Sequence, residues 1–176
     1  MTRRRPFLRR LAPLAALALL AGCPASAPGP QVESPAMPAD FAVRYAWSTG
    51  SLPPEYQYSY TVHLGPGTGG RVDFQPGYSG PTWTERFPVS EAQLRAVYAT
   101  LRERGVWDRE WPEGTPMVGG SGEYLEAVAA GRRAKLPSMP RDEDRAALRE
   151  IYASVTEVVP AGVIEGLVER RRQLRQ

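Results

Sequence analysis

The sequence has few of the residues on which catalytic centres and disulfide-bonded domains depend. Its 176 residues include one cysteine, Cys23, and one histidine, His63. A single cysteine excludes a disulfide within the chain. A single histidine excludes a multi-histidine metal site, and it leaves any serine nucleophile with only one imidazole base.

Long apolar runs are also scarce, and the one that exists lies near the amino terminus. Five arginines precede the apolar segment 11–21, at positions 3, 4, 5, 9 and 10. A cationic end followed by about ten apolar residues is typical of a secretory signal peptide, and it is too short for a permanent transmembrane helix. The rest of the sequence offers no second run long enough to span a bilayer.

The apolar segment ends in Leu20, Ala21, Gly22 and Cys23. These four residues resemble the lipobox of bacterial lipoproteins. The resemblance implies that the sulfur of Cys23 receives a diacylglyceryl group, that the leader is removed before it, and that the new amino terminus is acylated. The alternative is an ordinary signal peptide with an incidental cysteine.

The resemblance implies that the chain has three parts. We expect residues 1–22 to form the signal peptide, 23–39 to contain the lipidated cysteine and a proline-rich tether, and 40–176 to form a single α+β domain. Pro24 stands where an aspartate commonly signals inner-membrane retention. The resemblance therefore predicts attachment in the cell envelope, at the outer membrane rather than the inner one in a two-membrane cell.

Charge and composition limit the partners of the domain. The whole chain carries a net charge of +3, and loss of the five leader arginines changes it to −2. A nucleic-acid partner therefore has no electrostatic support. We expect contact with the membrane through the lipid on Cys23, a protein or glycan partner for the domain, and no cofactor or metal.

Alternating apolar and polar residues predict a sheet. Strands are expected over 41–47, over 56–64, around 72–74 and over 83–87, followed by a hairpin formed by 124–129 and 132–136. Ala130 and Gly131 are expected at the turn of this hairpin.

Capping residues and apolar stripes predict the helices. Ser90 and Gln93 form a capping box before a helix that contains Leu101 and ends near Gly105. A second helix begins in the acidic run 142–144, and a short third helix holds four apolar residues: Val163, Ile164, Leu167 and Val168. The expected fold is α+β, an antiparallel sheet of about five to six strands with two or three helices packed on one face.

Two sets of residues could in principle form a catalytic site. Ser121 lies in a glycine-rich loop and could use His63 as a base, but the sequence around it lacks the second glycine of a nucleophile elbow. Glu123 and Glu126 could form an acid–base pair, yet a spacing of three on a strand places them on opposite faces. We name no catalytic, cofactor-binding or metal-binding residue, and the only predicted modification site is Cys23.

Other segments are candidates for binding. The glycine-rich loops 65–70 and 112–122 allow close approach of a partner, whereas the acidic run 142–144 lacks calcium-loop spacing. Arginines at 170, 171, 172 and 175 could touch anionic headgroups or form a solvated helix end. Seven aromatic residues form either a stacking platform or the core: Tyr45, Trp47, Tyr56, Tyr58, Tyr60, Tyr78 and Trp83.

The order of the elements carries two further resemblances. The layout over about 41–159 is similar to emfourin-type metalloprotease inhibitors, without a diagnostic motif, and the domain also resembles many uncharacterised secreted lipoproteins. The leading interpretation is a lipid-anchored extracytoplasmic binding or structural module without catalytic activity. The alternative is a protease inhibitor of the periplasm or cell surface, and a hydrolase is third.

Overall fold

A computed structural model describes residues 36–115 and 119–175 of the chain. The predicted signal peptide, the predicted lipidation site Cys23 and the tether up to residue 35 lie outside these described residues. The strands and helices that follow all belong to the unit Ser34–Gln176.

In the described part of the chain, six strands form one antiparallel sheet. They are β1 (Ala42–Ser48), β2 (Ser59–Gly65), β3 (Gly69–Gln75), β4 (Trp83–Phe87), β5 (Gly122–Ala129) and β6 (Arg132–Leu136). Their spatial order is β4-β3-β2-β1-β5-β6. The chain therefore runs outward from β1 to β4 and then returns to the other side of β1.

Helices follow the first four strands and the last hairpin. They are α1 (Glu91–Glu103), α2 (Arg145–Thr156) and α3 (Val163–Gln173). The capping box of α1 is formed as predicted, because the Ser90 hydroxyl accepts a hydrogen bond from the Gln93 amide and the Gln93 side chain accepts one from the Ser90 amide. The antiparallel sheet and the helices confirm the predicted α+β fold.

The strands bury alternate residues, which gives the sheet an inner and an outer face. On the inner face, Val43 and Tyr45 of β1 and Val62 and Leu64 of β2 are almost completely buried. Buried residues of all three helices belong to the same core: Leu94, Val97, Leu101, Leu148, Ile151, Tyr152, Val155 and Leu167. The helices therefore cover the inner face and leave the outer face open.

Two predicted boundaries were wrong. The second strand begins at Ser59 and not at Tyr56, which lies in the short 3-10 helix Pro54–Tyr56. Pro53 and Pro54 have fixed φ angles that suit the start of a helical turn and remove two strand donors. The acidic run Asp142–Asp144 also forms a 3-10 turn, so that α2 proper begins at Arg145.

The start of the domain is tied to the turn between β5 and β6. Ala130 and Gly131 have φ angles of +51° and +72°, as the predicted tight turn requires. Their amides donate hydrogen bonds of 2.8 and 2.6 Å to the Asp40 carboxylate. These two N–H groups lower the pKa of Asp40 below its usual value. The first residues of the domain are thus held against the hairpin of β5 and β6.

Candidate functional site

The structure does not bring Ser121 and His63 together. His63 pairs with Arg44 across β1 and β2, whereas Gly122, beside Ser121, pairs with Ser48 at the other end of β1. Four residues of strand correspond to about 13 Å. His63 Nε2 instead lies 3.1 Å from Asp73 Oδ2. The arrangement is not that of a serine hydrolase.

Glu123 and Glu126 lie on opposite faces of β5, as their spacing predicts. Glu123 is on the inner side, where it accepts a hydrogen bond of 2.6 Å from the Tyr45 hydroxyl. Burial and the Glu123 carboxylate raise the pKa of Tyr45, and burial raises that of Tyr60 to about 12. Glu126 faces Arg44 on the outer side. The two carboxylates cannot act jointly on one bond.

Most of the aromatic residues that the sequence singles out belong to the core side. Tyr45 is buried, and four others pack partly buried against the core: Trp47, Tyr58, Tyr60 and Trp83. Trp47 stacks on Tyr60 and Phe74 stacks on Trp83, with ring centroids 5.3 and 5.6 Å apart. Only Tyr56 and Tyr78 of the seven are exposed. Five of the seven therefore pack in or against the core, in agreement with the core interpretation.

The carboxy-terminal arginines do not form a simple solvated helix end. Arg171 is only 8% exposed, and its guanidinium donates to the carbonyl oxygens of Pro76, Glu55 and Gln57. Arg170 lies over the ring of Trp83, 4.4 Å from its centroid. Arginine packs well on aromatic faces, and its planar fork can serve several acceptors. These arginines fasten α3 to the edge of the sheet.

The outer face carries a different pattern, a row of charged residues that crosses the whole sheet. One residue from each strand contributes to this transverse row, in spatial order Arg86, Arg71, His63, Arg44, Glu126 and Lys135. Arg86 and Arg71 are directly opposite each other on β4 and β3. Like charges in this position destabilise a sheet. The row is therefore not explained by the stability of the fold alone.

The charges of the transverse row are only partly neutralised. Arg71 Nη2 lies 2.9 Å from Asp73 Oδ2, and the same oxygen also contacts His63. Arg44 donates a hydrogen bond of 2.6 Å to the Tyr124 hydroxyl and lies 3.7 Å from Glu126. These partners lie on the outer face as well.

At the β3–β4 end of the row, donors on both arginines have no partner in the part of the chain that the structure describes. Within the described residues, Arg86 makes no ion pair, and Arg71 Nε is buried without an acceptor. The guanidinium groups at the β3–β4 end thus retain hydrogen-bonding capacity.

A groove of about 630 Å³ opens over this part of the outer face, within the range of small-molecule sites. Four arginines and two carboxylates line it: Arg44, Arg71, Arg86, Arg133, Asp40 and Glu126. The lining has a net charge of +2 when His63 is neutral, and +1 if the adjacent Asp73 is included. Since the mature domain is predicted to be slightly acidic, this groove is a local concentration of positive charge.

The single histidine forms part of the groove wall. Partial burial lowers the pKa of His63 most, and the neighbouring Arg71 and Arg44 charges lower it further, while Asp73 opposes them. The imidazole is therefore neutral at pH 7, where it can donate to Asp73 through Nε2 and leave Nδ1 as an acceptor. His63 thus lies on the outer face of the sheet, opposite Arg44 and Arg71.

The two glycine-rich loops differ in their position. The first, 65–70, provides part of the groove wall through Gly65, Pro66, Thr68 and Gly69. The second, 112–122, is pinned at its start, because the Glu113 carboxylate accepts hydrogen bonds from the backbone amides of Ser138 and Met139. Residues 116–118 of that loop lie outside the described residues. The described end of the second loop, from Gly119 to Gly122, borders a separate and smaller cavity of about 210 Å³. The first loop is thus the one that borders the charged groove.

The described residues contain neither a metal-binding cluster nor a membrane-spanning helix. No group of three or more histidine, cysteine, aspartate or glutamate residues in 36–115 and 119–175 could hold a metal ion. In the same ranges, no helix has both the length and the apolar character that crossing a membrane requires.

The transverse row was missed in the sequence. Its members are separated along the chain and form a row only through strand register, which the sequence does not specify for six strands at once. The available signal was modest: four of the six members stand between two apolar residues, whereas Arg71 follows Gly70 and Arg86 follows Glu85.

Comparison with known proteins adds no family. No protein-family model matches this chain, and no curated protein matches it in sequence.

Proposed function

We propose that the chain is a lipid-anchored binding module of the cell envelope, without catalytic activity of its own. The anchor rests on Leu20, Ala21, Gly22 and Cys23, which resemble a lipobox. The observation that carries the binding role is the groove on the outer face. It is large enough for a ligand and is lined by charged side chains on the face of the sheet that α1, α2 and α3 leave uncovered.

The arrangement of the chain suits this role. The proline-rich tether follows Cys23 and could extend about 3.1 Å per residue, so that its 15 residues from 24 to 38 would reach about 45 Å. The groove would then stand clear of the bilayer or lie on it, depending on how far the tether is extended. Pro24 favours attachment at the outer membrane.

The anchor is tested by replacing Cys23 with serine in the full chain, expressed in a bacterium that processes lipoproteins. We expect the unaltered protein to incorporate labelled palmitate and to stay in the membrane after a carbonate wash. Two or more acyl chains give stable attachment, at about 0.8 kcal/mol for each buried CH₂ group. The Cys23→Ser protein should incorporate no label and leave the membrane.

Ser26→Ala is the matched control, because it changes a neighbouring residue outside the lipobox. It should be labelled and retained like the unaltered protein. Retention of the Cys23→Ser protein in washed membranes, with its leader removed, would contradict the lipid anchor.

A further inference from the structure

We propose that the β3–β4 end of the groove is a binding site for a phosphate group, with Arg71 and Arg86 as its principal ligands. The inference deepens the proposed function, because it names the chemical class that the module would bind. It rests on three properties of the transverse row: the juxtaposition of like charges, the unused donors and the shape of the surrounding surface.

Arg71 and Arg86 place two positive charges next to each other. Arg71 and Arg86 are directly opposite in the β3–β4 register, so their Cβ atoms are about 5 Å apart. His63 follows on the next strand, directly opposite Arg71. An anion placed between the two guanidinium groups would convert a repulsive pair into two attractive contacts.

Both arginines have N–H groups that no acceptor in the described part of the protein uses. Arg86 is exposed and has no ion-pair partner among the described residues, so all its N–H groups are available. Arg71 uses Nη2 for Asp73 and its Nε is buried, so that Nη1 is the part of this guanidinium left for an anion in the groove. Guanidinium groups bind carboxylate and phosphate through parallel hydrogen bonds. Phosphate suits the pair better than a carboxylate, because it offers three oxygens and up to two negative charges.

The carboxylates that line the groove do not occupy Arg86. Asp40 lies at the rim, but both of its oxygens accept hydrogen bonds from the turn at Ala130 and Gly131. Glu126 lies two strands from His63 and faces Arg44. Asp73 pairs with Arg71 and offsets part of its charge, but none of these three carboxylates is paired with Arg86. The open length of the groove toward Arg133 would hold the rest of a larger ligand.

His63 provides a local readout, since it is the only histidine in the chain. The test follows its imidazole signals by NMR while inorganic phosphate is added to the full chain carrying Cys23→Ser, with chloride keeping the ionic strength constant. Binding next to the imidazole should shift these signals and raise the His63 pKa, because the bound anion favours the protonated ring. The leader arginines can bind phosphate without moving the His63 signals.

Variants locate the site. Arg86→Gln should weaken phosphate binding about tenfold, since it removes a charge-assisted contact. Glu126→Gln should strengthen binding, because it removes a negative charge from the groove. Arg102→Gln is the matched control: Arg102 is an exposed arginine on α1, and its replacement should leave the affinity unchanged.

A second arm distinguishes free phosphate from a lipid headgroup. Vesicles of phosphatidylglycerol and of phosphatidylcholine replace inorganic phosphate, and the Arg86→Gln chain is measured beside the unaltered groove. A His63 response to phosphatidylglycerol that Arg86→Gln removes would identify a headgroup as the source, and a response to inorganic phosphate alone would identify a free ligand. Either result supports the site.

Three results would overturn the proposal. They are unmoved His63 signals with both probes, an equal response to acetate, and an affinity that is unchanged in Arg86→Gln and Arg71→Gln chains whose circular dichroism is that of the unaltered protein. The palmitate experiment on Cys23 has a separate readout. Failure of the phosphate site therefore leaves the anchor untouched, and failure of the anchor leaves the phosphate site untouched.

Discussion

The two faces of the sheet are built from alternate residues of the same strands, yet they differ in what holds them together. On the inner face, Val62 and Leu125 are fully buried under the helices. On the outer face, their neighbours His63 and Glu126 keep about a third of their side chains exposed, 31% and 33% respectively. One step along a strand separates a packing position from a charged one.

The inner face accounts for most of the stability of the fold, and the outer face is the one available for binding. Burial of apolar area is non-directional and contributes most of the stability of a fold. The charged outer row contributes little, because exposed ion pairs are worth about 0–1 kcal/mol and opposed arginines repel each other. We therefore expect substitutions on the inner side to change folding, and substitutions on the outer face to change binding.

The largest expected effect uses two adjacent residues of β5. Leu125→Ala should lower the free energy of unfolding by about 2–5 kcal/mol, because it leaves a cavity in the core. Glu126→Ala should change it by no more than about 0.5 kcal/mol, as is usual at an exposed position with a long ion pair. Urea denaturation of both variants measures the difference. Equal losses at the two positions would contradict the assignment of the faces.

A second, smaller effect is expected for Arg171, whose side chain is buried. Arg171→Met should lower the free energy of unfolding by about 1.5–3 kcal/mol, because three carbonyl oxygens lose a charged donor. Arg172→Met is the control, since Arg172 is exposed and pairs only with Glu169 on the same helix. Its replacement should cost less than about 0.5 kcal/mol. A comparable loss for both variants would show that Arg171 does not fasten α3.

The fold was predictable from the sequence wherever the signal was local. The capping box of α1 needs only residues within one turn, Ser90 and Gln93, and the hairpin turn needs only Ala130 and Gly131. The alternation along the first two strands identified their buried faces. Each of these features is formed by residues that are close together in the sequence, and for this reason it could be predicted.

Features that depend on register were not predictable. Gly70 reads as a turn residue in the sequence, but it lies in β3 beneath the ring of Phe87, where a Cβ atom would be 2.1 Å from the ring. The opposition of Arg71 and Arg86 arises in the same pairing of β3 with β4. The roles of Arg171 and of the groove also require knowledge of which distant segments meet.

The smallest expected effect is the pH dependence that His63 adds to stability. Its pKa in the folded protein is lowered from the ordinary value of 6.5, first by burial and then by Arg71 and Arg44. The unfolded chain therefore binds the proton more readily. The contribution of neutral His63 is fully present above the unfolded pKa and is lost as the pH falls from that value through the folded one.

Measurements of unfolding against pH with His63→Gln should show this contribution, because the variant should have a flatter curve just below 6.5 than the unaltered protein. Asp40 provides the contrast, since its lowered pKa acts only below the ordinary value of 3.8. Asp40→Asn should change the acid end of the curve and leave the histidine window as it was. A His63→Gln curve that is steeper in its window would mean that protonation stabilises the fold, and that Asp73 outweighs the burial and the arginines around the imidazole.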